Sequence, residues 1–303
     1  MTATLPPFVH NIFTYFPLHT YPPIPSPHKA RTVTSPELWI HAPRSSEPSL
    51  ESSYSSDLFS SDVECLKWQA YIALRGLTGI SVRWDIQPEG AIEGRLPNLR
   101  VPLKEFEPED TKVKDDGEGE LLPAHLIMEW VDKKVGNLGD LEGYVNEDAR
   151  DESRAWVKLL EGDVHAALEV FQPAENDSFL KLLSPYGAVH HPIQTIFTQP
   201  LQPLTGWSSL IRPYGVHIDR NAVELKYKDA ISALSERLGT DKWFLGSASP
   251  TALDALLFAY LHCLLHSKDH TLRFEITRRV NLVAWERRVH SDVRAAFQPY
   301  SRA

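Results

Sequence analysis

The longest apolar run in the chain is Ala252 to Leu265, inside KWFLGSASPTALDALLFAYLHCLLHS; it is fourteen residues long and contains Asp254 and His262. A membrane span needs about 20 mostly apolar residues, so this run predicts a buried helix. Apolar residues recur at helical spacing in the segments before and after it. Glu147–Phe171 places Trp156, Leu160, Val164, Ala167 and Phe171 on one stripe, and Asn221–Leu238 does the same with Val223, Tyr227, Ile231, Leu234 and Leu238. LRFEITRRVNLVAWERRVHSDV predicts one last helix, basic on its outer face.

The first half reads differently. ELWIHAP (37–43), ISVRWDI (80–86) and GRLPNLRVPL (94–103) are short apolar or alternating runs that predict strands. Ser61-Asp62-Val63-Glu64 has the spacing of a capping box, and predicts a helix to about Leu77 with Val63, Leu66, Ala70, Ala73 and Leu77 on its inner face. LLPAHLIMEWVDKKV predicts a second helix, with Pro123 in its first turn and Leu126, Ile127, Trp130 and Val131 inward.

This order implies three parts. Residues 1–36 form an arm in which Phe8, Phe13, Tyr15, Phe16 and Tyr21 alternate with prolines, and residues 1–28 carry no Asp, Glu, Lys or Arg. A secretory or Arg-rich transit signal is therefore not expected, and the prolines forbid a continuous helix. Such an uncharged aromatic segment is a poor solvated linker and suits packing on its own domain or a partner. Residues 37–140 form an α/β domain interrupted by a Ser-rich loop and an acidic loop, EFEPEDTKVKDDGEGE (105–120). Residues 141–303 form an all-helical domain with a Pro- and Gly-rich excursion at 173–215.

The net charge of −9 argues against general nucleic-acid binding. Two cysteines, Cys65 and Cys263, give neither a disulfide framework nor a Cys-rich zinc site.

This order of elements is similar to the glutathione-transferase fold, a thioredoxin-like domain followed by a helical one. RLPNL resembles the segment in which that fold has a cis-proline before its third strand, which makes Pro97 the expected cis residue. Thr251-Ala252-Leu253-Asp254 matches its Ser/Thr-x-x-Asp box at the start of the central buried helix. Within that superfold, LWIHAP, SSDVECLKWQAYIALRGL, GRLPNLRVP, WFLGSASPTALDALLFAYLHCLL and NLVAWERRV resemble the metaxin family. The sequence stops at Ala303 after a polar, basic segment, and so resembles the type without a membrane anchor. The resemblance implies a non-enzymatic, peripheral subunit on the cytosolic face of the mitochondrial outer membrane, part of the sorting and assembly machinery. Its implied partners are the β-barrel core subunit, a second metaxin-like subunit and β-barrel precursors. The arm residues Phe8, Phe13, Tyr15, Phe16 and Tyr21 are the candidate docking segment.

The alternative is a glutathione-dependent transferase or thiol oxidoreductase. Glutathione transferases place a Tyr, Ser or Cys after the first strand, where this chain has Pro43 and the Ser-rich loop. They hold glutathione with a Glu/Gln-Ser pair at the start of the helix after the fourth strand, where this chain has Leu122, Pro123 and Ala124. Cys65 remains, in a first helical turn where a dipole lowers a thiol's pKa, but a small buried hydrophobe is the expected reading; Cys263 reads as core. His262, His266 and His270 follow at i, i+4, i+8, and an i, i+4 pair can bind zinc, but no Glu follows His262 as in metalloproteases. His190-His191 read as a surface pair. No catalytic residue, metal or cofactor is expected.

Overall fold

A computed structural model describes residues 35–43, 58–102, 119–171 and 219–300. The described residues among 35–101 and 121–300 belong to one compact unit. The arm residues Phe8, Phe13, Tyr15, Phe16 and Tyr21, the pair His190-His191, most of the acidic loop and the excursion at 173–215 lie outside the described residues.

The first part is a mixed sheet. Strands β1 (Glu37–Trp39), β2 (Ile80–Arg83), β3 (Asn98–Pro102), β4 (Gly119–Pro123) and β5 (Phe297–Pro299) lie in the order β4-β3-β1-β2-β5. β1 is parallel to β2 and antiparallel to β3, and β2 is parallel to β5. Alternation explains the sheet's two faces, because successive side chains point to opposite sides. Leu38, Ile80, Val82, Leu99 and Val101 are buried. On β1 the intervening residues are Glu37, 3.7 Å from Arg83 and 3.9 Å from Arg100, and Trp39, which lies under the Arg83 guanidinium.

Helices α1 (Val63–Leu74) and α2 (Ala124–Val135) complete this part. α1 ends at Leu74 rather than Leu77, because Gly76 and Gly79 take positive φ and turn the chain into β2. Between β2 and β3 there are only two short 3-10 turns, Pro88–Gly90 and Ile92–Gly94. The Leu96–Pro97 bond is cis, as expected. Buried Asn98 braces the bend: its Oδ1 accepts from Ile92 N–H at 2.9 Å, and its Nδ2 donates to the Arg95 and Pro97 carbonyls. β4 was missed as a strand; with one buried residue, Leu122, it has little apolar alternation to read.

The second part is helical. α3 (Glu147–Leu159) passes through one π turn, Leu160–Val164, into α4 (His165–Phe171). The expected stripe is present: Leu160, Val164, Ala167 and Phe171 are buried, and Trp156 packs against the core from its edge. α5 (Arg220–Leu238) buries Tyr227, Ala230, Ile231, Leu234 and Leu238, with the Tyr227 hydroxyl donating to the Leu272 carbonyl at 2.7 Å.

α6 (Ala252–Leu265) is apolar almost all round, and every residue from Leu253 to Leu264 is buried. A helix hydrophobic on all sides must be surrounded, and α1, α3, α7 and α8 all contact it.

The expected single last helix is two helices, α7 (His270–Thr277) and α8 (Val280–Ala296). The burial pattern gives the reason. Leu272 and Ile276 set one phase, whereas Leu282, Trp285, Val289 and Val293 set another. On one continuous helix the centres of the two sets would lie roughly a third of a turn apart. Phe297 then enters β5 opposite Ile80, a strand the sequence reading did not include. Among the described residues no helix is long and apolar enough to cross a membrane.

Candidate functional site at the start of the first helix

β1 leaves the sheet with Ile40 N–H donating to the Arg83 carbonyl at 2.8 Å. The next residues, His41 and Ala42, are stitched to the start of α1. The Ser60 hydroxyl donates to the His41 carbonyl at 3.1 Å, and the Ser61 hydroxyl donates to the Ala42 carbonyl at 2.7 Å. Gln69, fully buried in α1, fixes the incoming segment: its Oε1 accepts from Ser60 N–H at 3.0 Å and its Nε2 donates to the Leu58 carbonyl at 2.9 Å.

These bonds correct the expected capping box. Ser61 spends its hydroxyl on Ala42, so Asp62 is the N-cap, and its Oδ2 accepts from Cys65 N–H at 2.9 Å. Glu64 does not reach back; it pairs with Lys67 and accepts from the Trp68 indole N–H.

Cys65 takes the expected place of a small buried hydrophobe. It is fully buried, and burial together with the neighbouring Asp62 charge pushes its thiol well up; the His41 backbone N–H and the Ser60 hydroxyl only partly oppose this. Desolvation outweighs the helix dipole here. The side chains of His41, Asp62 and Cys65 nonetheless converge: their nitrogen, oxygen and sulfur donors all lie within 4.8 Å of one another.

At the start of α2 the N-cap residue is Pro123, which makes no side-chain cap bond. Ala124 follows it and adds no polar side chain.

The fold markers behave as the sequence implied. Thr251 Oγ1 accepts from Asp254 N–H at 3.4 Å, and Asp254 Oδ2 accepts from Thr251 N–H and Oγ1–H, each at 2.8 Å. Asp254 Oδ1 also accepts from Phe244 N–H at 2.8 Å, which ties the helix start to the preceding WFLG turn. Burial pushes this carboxyl up to about 6 against these hydrogen bonds.

His262, His266 and His270 do not share one helix face. His266 is the C-cap of α6, and His270 begins α7 and stacks on Phe274. His262 instead meets Glu286 of α8, Nδ1 to Oε1 at 2.8 Å with both side chains buried; its ring lies 4.2 Å from that of His266 and 5.6 Å from that of His290. Sequence reasoning missed Glu286 and His290; they lie four residues apart on α8, and only the re-phasing of that helix brings them to α6. Cys263 is buried, with its Sγ 3.7 Å from the Ser61 carbonyl.

Residues 227–289 match the family model described as glutathione S-transferase, C-terminal domain. No curated protein matches the chain. Among solved structures it is similar to the β-etherase LigF from Sphingobium, at 14% identity and TM-score 0.48, over 86% of this chain and 97% of that one. It is similar to a glutathione S-transferase III at 13% identity and TM-score 0.43, over 88% and 99%. A glutathione S-transferase from Methylobacterium radiotolerans, in complex with glutathione sulfonate, matches at 14% identity and TM-score 0.44, over 89% and 97%. With the sheet order, the cis Pro97 and the Thr251–Asp254 box, the family-model match gives the conclusion that the chain has a glutathione-transferase-like fold, a mixed sheet followed by a helical domain.

Proposed function

We propose that the chain is a non-enzymatic, metaxin-like subunit of the mitochondrial sorting and assembly machinery. In this reading it is held peripherally at the cytosolic face of the outer membrane by the β-barrel core subunit and a second metaxin-like subunit. It receives β-barrel precursors there and aids their insertion. The observation that carries the reading is the chemistry at the start of α1, where a thiol transferase would activate glutathione. Its one thiol, Cys65, is fully buried and its pKa is pushed up, which disfavours a thiolate nucleophile. The start of α2, where the glutathione-transferase family holds the γ-glutamyl end, is capped by Pro123 without a side-chain bond. The scaffold's own markers, Pro97, Thr251 and Asp254, keep their structural roles.

A precursor strand carries unpaired backbone groups that a sheet edge can engage. β5 already occupies the β2 edge, and the short β5 ends in Pro299, a residue that blunts edges. Precursor contact is accordingly assigned to side-chain surfaces and the arm rather than to this edge.

The test is co-purification. Tagged full-length chain, solubilised from intact mitochondria in mild detergent, should bring down the β-barrel core subunit and crosslink to an arrested precursor, and should flow through glutathione resin. Recovery without the barrel subunit, together with elution by glutathione, supports the transferase alternative instead. Deletion of residues 1–28 should reduce recovery of the barrel subunit; unchanged recovery removes the docking role of Phe8, Phe13, Tyr15, Phe16 and Tyr21.

A further inference from the structure

We propose that His41, Asp62 and Cys65 form a binding site for a borderline divalent metal ion of the zinc class, with three protein ligands and one open position. The donor set points to the metal class: an imidazole nitrogen, a carboxylate oxygen and a thiolate sulfur are zinc's ligands, whereas magnesium and calcium take oxygen. The three donor atoms lie within 4.8 Å of one another. In a tetrahedral zinc site with bonds of about 2.0–2.3 Å, ligand atoms sit roughly 3.3–3.8 Å apart, so small side-chain rotations complete the geometry.

The ligands come from two separate elements, the end of β1 and the first turn of α1. Backbone-directed bonds already hold these in register: Ser60 Oγ to the His41 carbonyl, and Ser61 N–H and Oγ to the Ala42 carbonyl. The site is therefore arranged before an ion arrives. Asp62 has the capacity to serve twice, because its Oδ2 holds the cap bond to Cys65 N–H and its Oδ1 remains for a metal.

Charge supplies the next argument. An Asp62 carboxylate beside a Cys65 thiolate would be unfavourable in this poorly solvated place without a cation, so the thiolate forms only with an ion bound. A divalent ion neutralises both, and binding releases the thiol proton to solvent. Cys65 forms the buried floor, while His41 and Asp62 are only half-buried, which leaves a path for entry and the fourth position open to water.

Cobalt(II) is the probe, because bound to a thiolate it gives a sulfur-to-metal charge-transfer band that histidine-only binding does not. This matters in a chain with 13 histidines. Metal-free full-length protein titrated with cobalt(II) should develop that band with tetrahedral visible bands at one equivalent, and zinc(II) should displace them. Cys65→Ser should abolish the charge-transfer band, and Cys263→Ser should leave it intact. His41→Gln and Asp62→Asn should each weaken binding at least tenfold; Asn still caps a helix, so circular dichroism should show both variants folded. One equivalent of zinc should also raise the wild-type melting temperature and leave that of Cys65→Ser unmoved. The proposal is overturned if no charge-transfer band forms, if Cys65→Ser keeps it, or if His41→Gln and Asp62→Asn bind as tightly as the wild type.

Discussion

Asp254 and Asp62 both stand at the start of a helix, and the two aspartates have opposite settings. Asp254 of α6 is fully buried, and its carboxylate takes bonds from Phe244 N–H, Thr251 N–H and Thr251 Oγ1–H. Asp62 of α1 is half-buried and takes one cap bond, from Cys65 N–H. Asp254 is consumed by the fold. Asp62 has donor capacity left over, next to an imidazole and a thiol. The same residue type, as the N-cap in α1 and as the third helical residue in α6, thus serves as a ligand in one helix and a structural knot in the other, and burial separates the two.

Substitutions can break this contrast. Asp254→Ala should have the largest effect, roughly 3–5 kcal/mol, because it leaves buried donors without an acceptor; a urea midpoint far below the wild-type value checks it, and a near-normal midpoint would refute the structural role. The next effect is in pH. The Asp254 carboxyl is pushed up to about 6 from its ordinary 3.8, so the folded state holds this proton more tightly than the unfolded chain does. Its contribution to stability is full below 3.8 and lost as pH rises through about 6. Between pH 4 and 7.5 this group should cost about 2 kcal/mol, a slope that denaturation of Asp254→Asn should lack.

Asp62→Ala should cost only about 1 kcal/mol, the value of a helix cap, and thermal melts of the metal-free protein measure it. Ser61→Ala should be the mildest, below about 0.5 kcal/mol, since its hydroxyl bonds the Ala42 carbonyl at an exposed position. Should Ser61→Ala prove the costlier of these last two, Ser61 rather than Asp62 caps α1.

The contrast also separates what the sequence could reveal from what it could not. Thr251 and Asp254 are three apart before an apolar run, a local signal, and both partners of the box are in the signal itself. The buried stripe Leu160, Val164, Ala167 and Phe171 is legible for the same reason: helical period needs no knowledge of neighbours. At α1, Ser61 and Asp62 are adjacent and both suited to capping. Only the path of β1, which brings the Ala42 carbonyl to Ser61, selects Asp62. His41 and Asp62 likewise meet through the fold and not through spacing. The break between α7 and α8 lies in TRRVN, without Gly or Pro, so no breaker announces it; the change of phase from Ile276 to Leu282 was the available clue. β5 has only Phe-Gln-Pro, too short to alternate, and exists as a strand because β2 offers it an edge.

That strand has a temporal consequence. Synthesis proceeds from the N-terminus, and domains usually fold as units in that order. Here the sheet that begins at Glu37 lacks its fifth member until Phe297–Pro299 has been made. The outer edge of β2 therefore stays open while residues 84–296 are being made, so the nascent protein is most exposed to unwanted strand pairing while its helical part is still emerging.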